Sequence, residues 1–107
     1  MAREVAWAES ASDDLAEIAR YIGKDSESYA AAVVRELIEA ARSLDMFAQR
    51  GRLVPEYRDP SIRELLVRDY RLVYEVGDAV VHGLEWTLPA GNFLWVRQAE
   101  FADSAHG

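Results

Sequence analysis

The stretch that decides the fold is Gly51–Val76, which reads GRLVPEYRDPSIRELLVRDYRLVYEV. It contains two runs with the composition of β-strands, Glu64–Val67 and Tyr70–Val76, and the second run is rich in aromatic and β-branched residues. Only Arg68 and Asp69 separate the two runs. Two prolines before the first run disfavour a helix there, because proline restricts its own backbone and that of the preceding residue. The sequence therefore predicts a tight hairpin of antiparallel strands.

The segments on either side extend this hairpin to a β-α-α-β-β-β order. Upstream, Arg3–Ala8 predicts a first strand, and apolar residues at helical spacing predict two helices that end at Gly23 and near Leu44–Phe47. The short link between them predicts an antiparallel helical hairpin. Downstream, Ala79–Thr87 predicts one more strand, with a bulge at Gly83. The sequence thus predicts an α+β fold of two layers, in which the N-terminal strand and the helical hairpin pack on a twisted antiparallel sheet.

The same spacing predicts the helix ends and the core. Ser10 or Ser12 is expected to cap the first helix, and Asp25 or Ser26 the second. Gly51 is expected to give the second helix a left-handed exit. The predicted core consists of Leu15, Ile18, Val33, Leu37 and Leu44 from the helices and Leu65, Val67, Leu72 and Tyr74 from the strands.

The composition limits the class of protein. With 107 residues and no cysteine, the chain is long enough for one modest core and offers no thiol or disulfide chemistry. We expect a single domain over residues 1–101 and a frayed tail over residues 102–107. No apolar run approaches the roughly 20 residues of a membrane span, and the N-terminus lacks the apolar core of a signal peptide. We therefore expect a cytoplasmic location without membrane contact.

Charge is distributed unevenly along the chain. The formal net charge is −7, yet the segment Arg50–Arg71 holds six arginines against four acidic residues. These arginines either pair with the acidic helices of the same domain or line a surface for an anionic partner. Under the second interpretation, the candidate target-binding residues include Arg52, Arg63 and Arg68.

Three strings in the chain closely resemble the RelE/ParE superfamily of toxins from bacterial toxin–antitoxin pairs. They are GR-x-VPE at residues 51–56, RELLV at residues 63–67 and DYRLVYEV at residues 69–76. The resemblance extends over roughly residues 3–87 and implies the same two-layer fold. It also implies a type II, plasmid-stabilisation-like toxin that a cognate antitoxin protein neutralises, with no cofactor and no metal. Binding of operator DNA by the complex, through the antitoxin, is left open.

The superfamily divides into two activities. RelE-like members are ribonucleases that cut mRNA on the ribosome, using arginines, lysines and often a C-terminal tyrosine or histidine, whereas ParE-like members poison DNA gyrase and lack that set. Arg71 matches the strand arginine of the ribonucleases, but their basic positions on the preceding strand read here as about Ile62 and Glu64. A carboxylate at a phosphate-binding position repels the substrate. The resemblance is therefore closer to ParE-like members, and it implies DNA gyrase as the target.

Two alternatives remain open at the level of sequence. The first is a ribosome-dependent mRNA endoribonuclease, for which Arg71, Tyr70 and Tyr74 are the candidate catalytic residues. The second is a non-toxic module that retains only antitoxin binding. The C-terminal segment is atypical of both groups, and we expect its aromatic residues Phe93 and Trp95 to form an edge strand or a target-binding patch.

The second helix carries the candidate antitoxin-binding residues. Val34 and Ile38 widen its apolar stripe beyond what one packing surface needs, and Tyr29 lies near its start. We expect an amphipathic helix of the antitoxin, and also a strand, to bind in the groove between the helical hairpin and the sheet.

Overall fold

The computed structural model describes residues 2–87. Its elements are β1 (Glu4–Trp7), α1 (Glu9–Gly23), α2 (Glu27–Arg42), a 3-10 turn (Ser43–Asp45), β2 (Arg52–Leu53), β3 (Ile62–Val67), β4 (Tyr70–Val76) and β5 (Val80–Thr87). The predicted order is confirmed, and the two-residue β2 is an addition that the sequence did not indicate. The predictions for Phe93, Trp95 and the tail 102–107 fall outside the described residues.

The strands form one sheet in the order β1-β5-β4-β3-β2. The predicted antiparallel hairpin and its further strand are confirmed, because β3, β4 and β5 pair antiparallel, as do β2 and β3. However, β1 joins β5 in parallel, and the sheet is therefore mixed. A parallel pair needs a long connection, and the one between β1 and β5 runs through both helices and strands β2 to β4. Val73 lies opposite Glu85 while Tyr74 lies opposite Gly83, so Leu84 is an extra residue in β5. This irregularity is the bulge predicted at Gly83.

Both helices pack on one face of the sheet, and the main core lies between the two layers. Eight of the nine predicted core residues are buried there, and the ninth, Leu15, packs against them partly buried. Side chains alternate along a strand, so Leu72 and Tyr74 of β4 both face the helices. Trp7 and Trp86 add a ring pair with centroids 5.7 Å apart. The core prediction is confirmed.

The predicted N-cap residue is found at α2 but not at α1. The Ser26 hydroxyl accepts a hydrogen bond from the Tyr29 amide at 3.1 Å and caps α2 as predicted. The prediction for α1 is wrong, because Ala8 occupies the N-cap position without a side-chain hydrogen bond. Ser10 lies inside the helix, where its hydroxyl donates to the Leu84 carbonyl at 2.7 Å. A bond to a distant strand thus replaces the local cap.

Gly51 has a different role from the one predicted. No glycine among residues 2–87 has a positive φ, so Gly51 does not provide a left-handed exit. It is required by close packing, since a Cβ atom there would lie 2.4 Å from the Glu64 carbonyl oxygen and 2.5 Å from the Tyr74 hydroxyl. That hydroxyl accepts from the Gly51 amide at 2.9 Å and donates to the Ala48 carbonyl at 2.8 Å. The buried tyrosine therefore holds the segment after α2 against the sheet.

Replacement of Leu37 tests the helix–sheet interface. Its side chain is 0% exposed, so Leu37→Ala is expected to lower the free energy of unfolding by about 2–5 kcal/mol, through lost burial and the cavity left behind. The matched control is Leu53→Ala at a residue that is 51% exposed, where a change of about 0.5 kcal/mol or less is expected. Urea unfolding measures both. Equal losses for the two variants would contradict the position of Leu37.

Candidate functional site

The face of the sheet turned away from the helices carries a compact group of charges. Alternation along the strands places Arg71 of β4 and Glu64 of β3 on this face. Arg52 of β2 lies opposite Glu64 in the sheet, and Glu56 reaches Arg71 from the loop that follows β2. We call these four residues the arginine–glutamate cluster.

Glu64 is the centre of this cluster. Its side chain is only 2% exposed, and both of its oxygens have partners. Oε1 accepts from Nε of Arg52, and Oε2 accepts from Nη1 of Arg71 at 2.9 Å. A carboxylate removed from water is tolerated only when it is paired in this way.

Arg71 is in turn held on several sides. The same Nη1 donates to Oε1 of Glu56 at 2.9 Å, and Nε donates to the Thr87 hydroxyl at 3.3 Å. Burial opposes the charged form, but the hydrogen bonds to Glu56 and Glu64 raise the pKa of Arg71 above its ordinary value. The hydrogen bond from Arg71 lowers the pKa of Glu56. Two positive and two negative charges therefore compensate each other at neutral pH.

The three candidate catalytic residues are not brought together. Arg71 points away from the helices, whereas Tyr70 and Tyr74 point toward them. Burial raises the pKa of both tyrosines. The Tyr74 hydroxyl also has its two backbone partners at Gly51 and Ala48. Neither tyrosine lies on the face from which the Arg71 guanidinium is reached.

The candidate target-binding arginines lie in three different environments. Arg52 belongs to the cluster and has a side chain that is 71% exposed. Arg63 donates to the Gly51 carbonyl at 2.7 Å. Arg68 pairs with Glu36 of α2 and lies over the ring of Tyr29, with 5.9 Å from its Cζ to the ring centroid. Arg68 is thus the one of these three that pairs with an acidic helix. Phe93 and Trp95 are outside the described residues.

The candidate antitoxin-binding residues divide between two sides of α2. Ile38 lines a hollow of 350 Å³ between β1 and the helical hairpin, which we call the β1 hollow. The β1 hollow is formed by Val5, Trp7, Ser12, Leu15, Ile38 and Arg42. Val34 is half-buried one turn before Ile38 and so lies on the same side of the helix. Tyr29 is about half a turn away around the helix axis, beside Arg68.

A second hollow follows the C-terminal end of α2 and was not found from the sequence. It measures 710 Å³ and is lined by Arg3, Ser43, Met46, Phe47, Ala48, Gln49 and Arg50; we call it the α2-end hollow. Met46 and Phe47 are 61% and 65% exposed. Two adjacent apolar residues beyond the last turn of an amphipathic helix are the signal that could have indicated it.

The described residues give two further results. Among residues 2–87, no group of His, Asp and Glu side chains is arranged to hold a metal ion. Within the same range, neither helix has the length and apolar character that a membrane crossing needs.

Three solved toxin structures share this fold. The chromosomal ParDE system from P. aeruginosa matches with a TM-score of 0.67 at 20% identity, over 80% of this chain and 95% of that one. The RelBE2 toxin–antitoxin complex from Mycobacterium tuberculosis matches with a TM-score of 0.56 at 22% identity, over 84% and 94%. YafQ from E. coli strain BL21(DE3) matches with a TM-score of 0.53 at 15% identity, over 85% and 98%. The fold is that of the RelE/ParE superfamily.

The sequence comparison is more specific than the fold. A family described as the ParE toxin of the type II toxin–antitoxin system parDE matches residues 5–84. The matched range includes both helices and most of the sheet. The chain belongs to the ParE toxin family, and the resemblance stated above is confirmed. No curated protein sequence matches the chain.

The buried position of Glu64 in the arginine–glutamate cluster predicts how its replacement changes the free energy of unfolding. Glu64→Ala leaves the largely buried Arg71 without its central partner, and we expect it to lower the free energy of unfolding by about 3–5 kcal/mol. The control is Glu36→Ala, which breaks the exposed pair with Arg68 and is expected to cost about 0–1 kcal/mol. Chemical denaturation of both variants measures the difference. If the two losses were the same, Glu64 would not be the buried centre of the cluster.

Proposed function

We propose that this ParE-family chain is the toxin of a type II toxin–antitoxin pair and acts by binding DNA gyrase rather than by cutting RNA. The observation that supports this choice is the arginine–glutamate cluster. Arg71, which matches the strand arginine of the ribonucleases, is paired with Glu64 and Glu56 at 2.9 Å each. The two carboxylates compensate the positive charge of this guanidinium, so its attraction for a phosphate is weakened.

The electrostatics of the cluster argue against ribonuclease chemistry. Glu64 stands where the ribonucleases carry a positive charge, and its pairing with Arg52 and Arg71 leaves the cluster without a net positive charge to attract a phosphate. Stabilising the transition state of phosphate transfer needs donors aimed at developing negative charge. The net charge of −7 adds long-range repulsion of RNA. Binding to a protein target does not require the stabilisation of a developing phosphate charge.

The antitoxin is proposed to bind at the β1 hollow. Val5, Trp7 and Ile38 give it apolar walls, and Arg42 offers a cation at its rim. Among residues 2–87, β1 pairs with β5 alone, so its second edge can accept a strand. A helix that inserts apolar side chains while an adjoining strand extends the sheet would use both features. Operator DNA would then be bound by the antitoxin, and the complex would act in the cytoplasm.

The target can be tested with two activities measured side by side. We expect the purified wild-type chain to trap DNA cleavage by gyrase and to leave ribosome-bound mRNA intact. The double variant Glu64→Leu/Arg71→Met removes the guanidinium without leaving a buried carboxylate unpaired, and it should retain the gyrase effect. Phe93→Ala/Trp95→Ala should reduce that effect at least tenfold, because these aromatic residues belong to the proposed contact.

A matched control and a contradicting result define this test. Tyr57→Ala removes an aromatic side chain that is 43% exposed and not part of the proposed contact, and it should leave the gyrase effect unchanged. Site-specific mRNA cleavage by the wild type that is lost in Glu64→Leu/Arg71→Met would replace the proposal with the ribonuclease. Absence of both activities and of toxicity would leave the non-toxic antitoxin-binding module.

Antitoxin binding makes a separate prediction. Ile38→Glu places a charge in the β1 hollow and should weaken binding of the protein encoded beside this chain at least tenfold, which is about 1.4 kcal/mol. Ala32→Glu makes a similar change at an exposed position of the same helix and should not weaken it. Isothermal titration calorimetry with the purified neighbour measures both. Equal affinities for the two variants would place the antitoxin elsewhere on the chain.

A further inference from the structure

The α2-end hollow combines an apolar floor with two cations that have no ion-pair partner among residues 2–87. Met46, Phe47 and Ala48 supply the apolar surface. Arg3 donates through Nε to the Gly77 carbonyl at 2.9 Å, and Arg50 donates through Nη1 to the Ser43 hydroxyl at 2.7 Å. Both acceptors are neutral. The hollow therefore complements an apolar side chain that has carboxylates beside it.

Arg3 and Arg50 resemble Arg63 in that each donates a guanidinium hydrogen bond to a neutral acceptor. Arg52, Arg68 and Arg71 each form an ion pair with a glutamate. Within residues 2–87, neither Arg3 nor Arg50 takes part in one. The net charge of −7 means that acidic residues outnumber basic residues in the chain, so carboxylates are available to pair with these arginines. Two guanidiniums left without a carboxylate at the rim of one hollow indicate an acidic occupant.

The chain itself contains a segment of this chemistry. Residues 100–103 read Glu-Phe-Ala-Asp, an aromatic residue with a carboxylate on either side, and they lie outside the described residues. We propose that Phe101 of the same chain occupies the α2-end hollow, with Glu100 and Asp103 facing Arg50 and Arg3. This inference is independent of the gyrase target and of the antitoxin site.

The length of the connecting chain permits this contact. Thr87 lies opposite Arg71, at the end of the sheet that carries the turn between β3 and β4. The hollow lies toward the other end, because its Arg3 contacts Gly77. The eight residues of β5 span about 26 Å at about 3.3 Å per residue. The fourteen residues from Thr87 to Phe101 reach up to about 46 Å when extended. A tether of this length gives a high effective concentration at the hollow.

Disulfide trapping in the full chain tests the proposal. The sequence has no cysteine, so an introduced pair is the only one present. In Gln49→Cys/Ala102→Cys, one thiol is at the rim of the hollow and the other is next to Phe101. We expect its intramolecular disulfide to form at least tenfold faster than that of the control Ala31→Cys/Ala102→Cys. Ala31 is exposed near the start of α2, at the end of the molecule where Thr87 lies, so an unguided tether would favour the control.

Charge reversal in the same background tests the role of the arginines. Adding Glu100→Arg should slow the trapping of the Gln49→Cys/Ala102→Cys pair to the control rate, and adding Arg50→Glu to that variant should restore it. Gel mobility after mild oxidation with glutathione disulfide measures the rates, and thermal unfolding checks that each variant is folded. Equal rates for the two cysteine pairs would overturn the proposal. Disulfide-linked dimers whose yield rises with protein concentration would overturn it in favour of a second copy in the hollow.

Discussion

Strand β4 must satisfy two different environments at once, and the rest of the structure depends on how it does so. Alternation sends Leu72 and Tyr74 into the helical layer and sends Arg71 and Val73 to the opposite face. On the helical side, the Tyr74 hydroxyl fixes the segment between α2 and β2. On the opposite face, Arg71 forms an ion pair with the buried carboxylate of Glu64 in the neighbouring strand β3. A one-residue shift in register would exchange the two sets and leave both layers unsatisfied.

Local features of the sequence were sufficient for most of the fold. The hairpin of β3 and β4 follows from two strand-like runs that two residues separate, and the helices follow from apolar spacing. The missed features depend on distant parts of the chain. β2 is two residues long and exists only through its pairing with β3. Ser10 donates to a strand 74 residues away rather than capping its own helix. Gly51 is required by crowding against the sheet, which no local pattern records.

The candidate sites divide in the same way. Glu64 was singled out because it replaces a basic residue, but its contact with Arg71 depends on the pairing of β3 with β4. Arg71 faces the opposite side of the sheet from Tyr70 and Tyr74, because neighbouring positions on a strand point to opposite faces, and sequence spacing alone did not separate them. Tyr29 and Ile38 were predicted to bind the antitoxin together because both lie in α2, but they project from nearly opposite sides of that helix. Membership of the ParE toxin family identifies the class of toxin. The ion pairs of the arginine–glutamate cluster, by contrast, are read from the contacts in this chain.

The parallel pairing of β1 with β5 has a consequence for how the protein is made. The first strand leaves the ribosome at the start of synthesis, and its partner is among the last described residues to be translated. At roughly 5–20 residues per second, about 4–15 s pass before Glu4 can meet Val80. Until then the sheet lacks both β5 and β1, and Val5 and Trp7 cannot complete the core. The described sheet therefore closes only late in translation, after β5 has been synthesised.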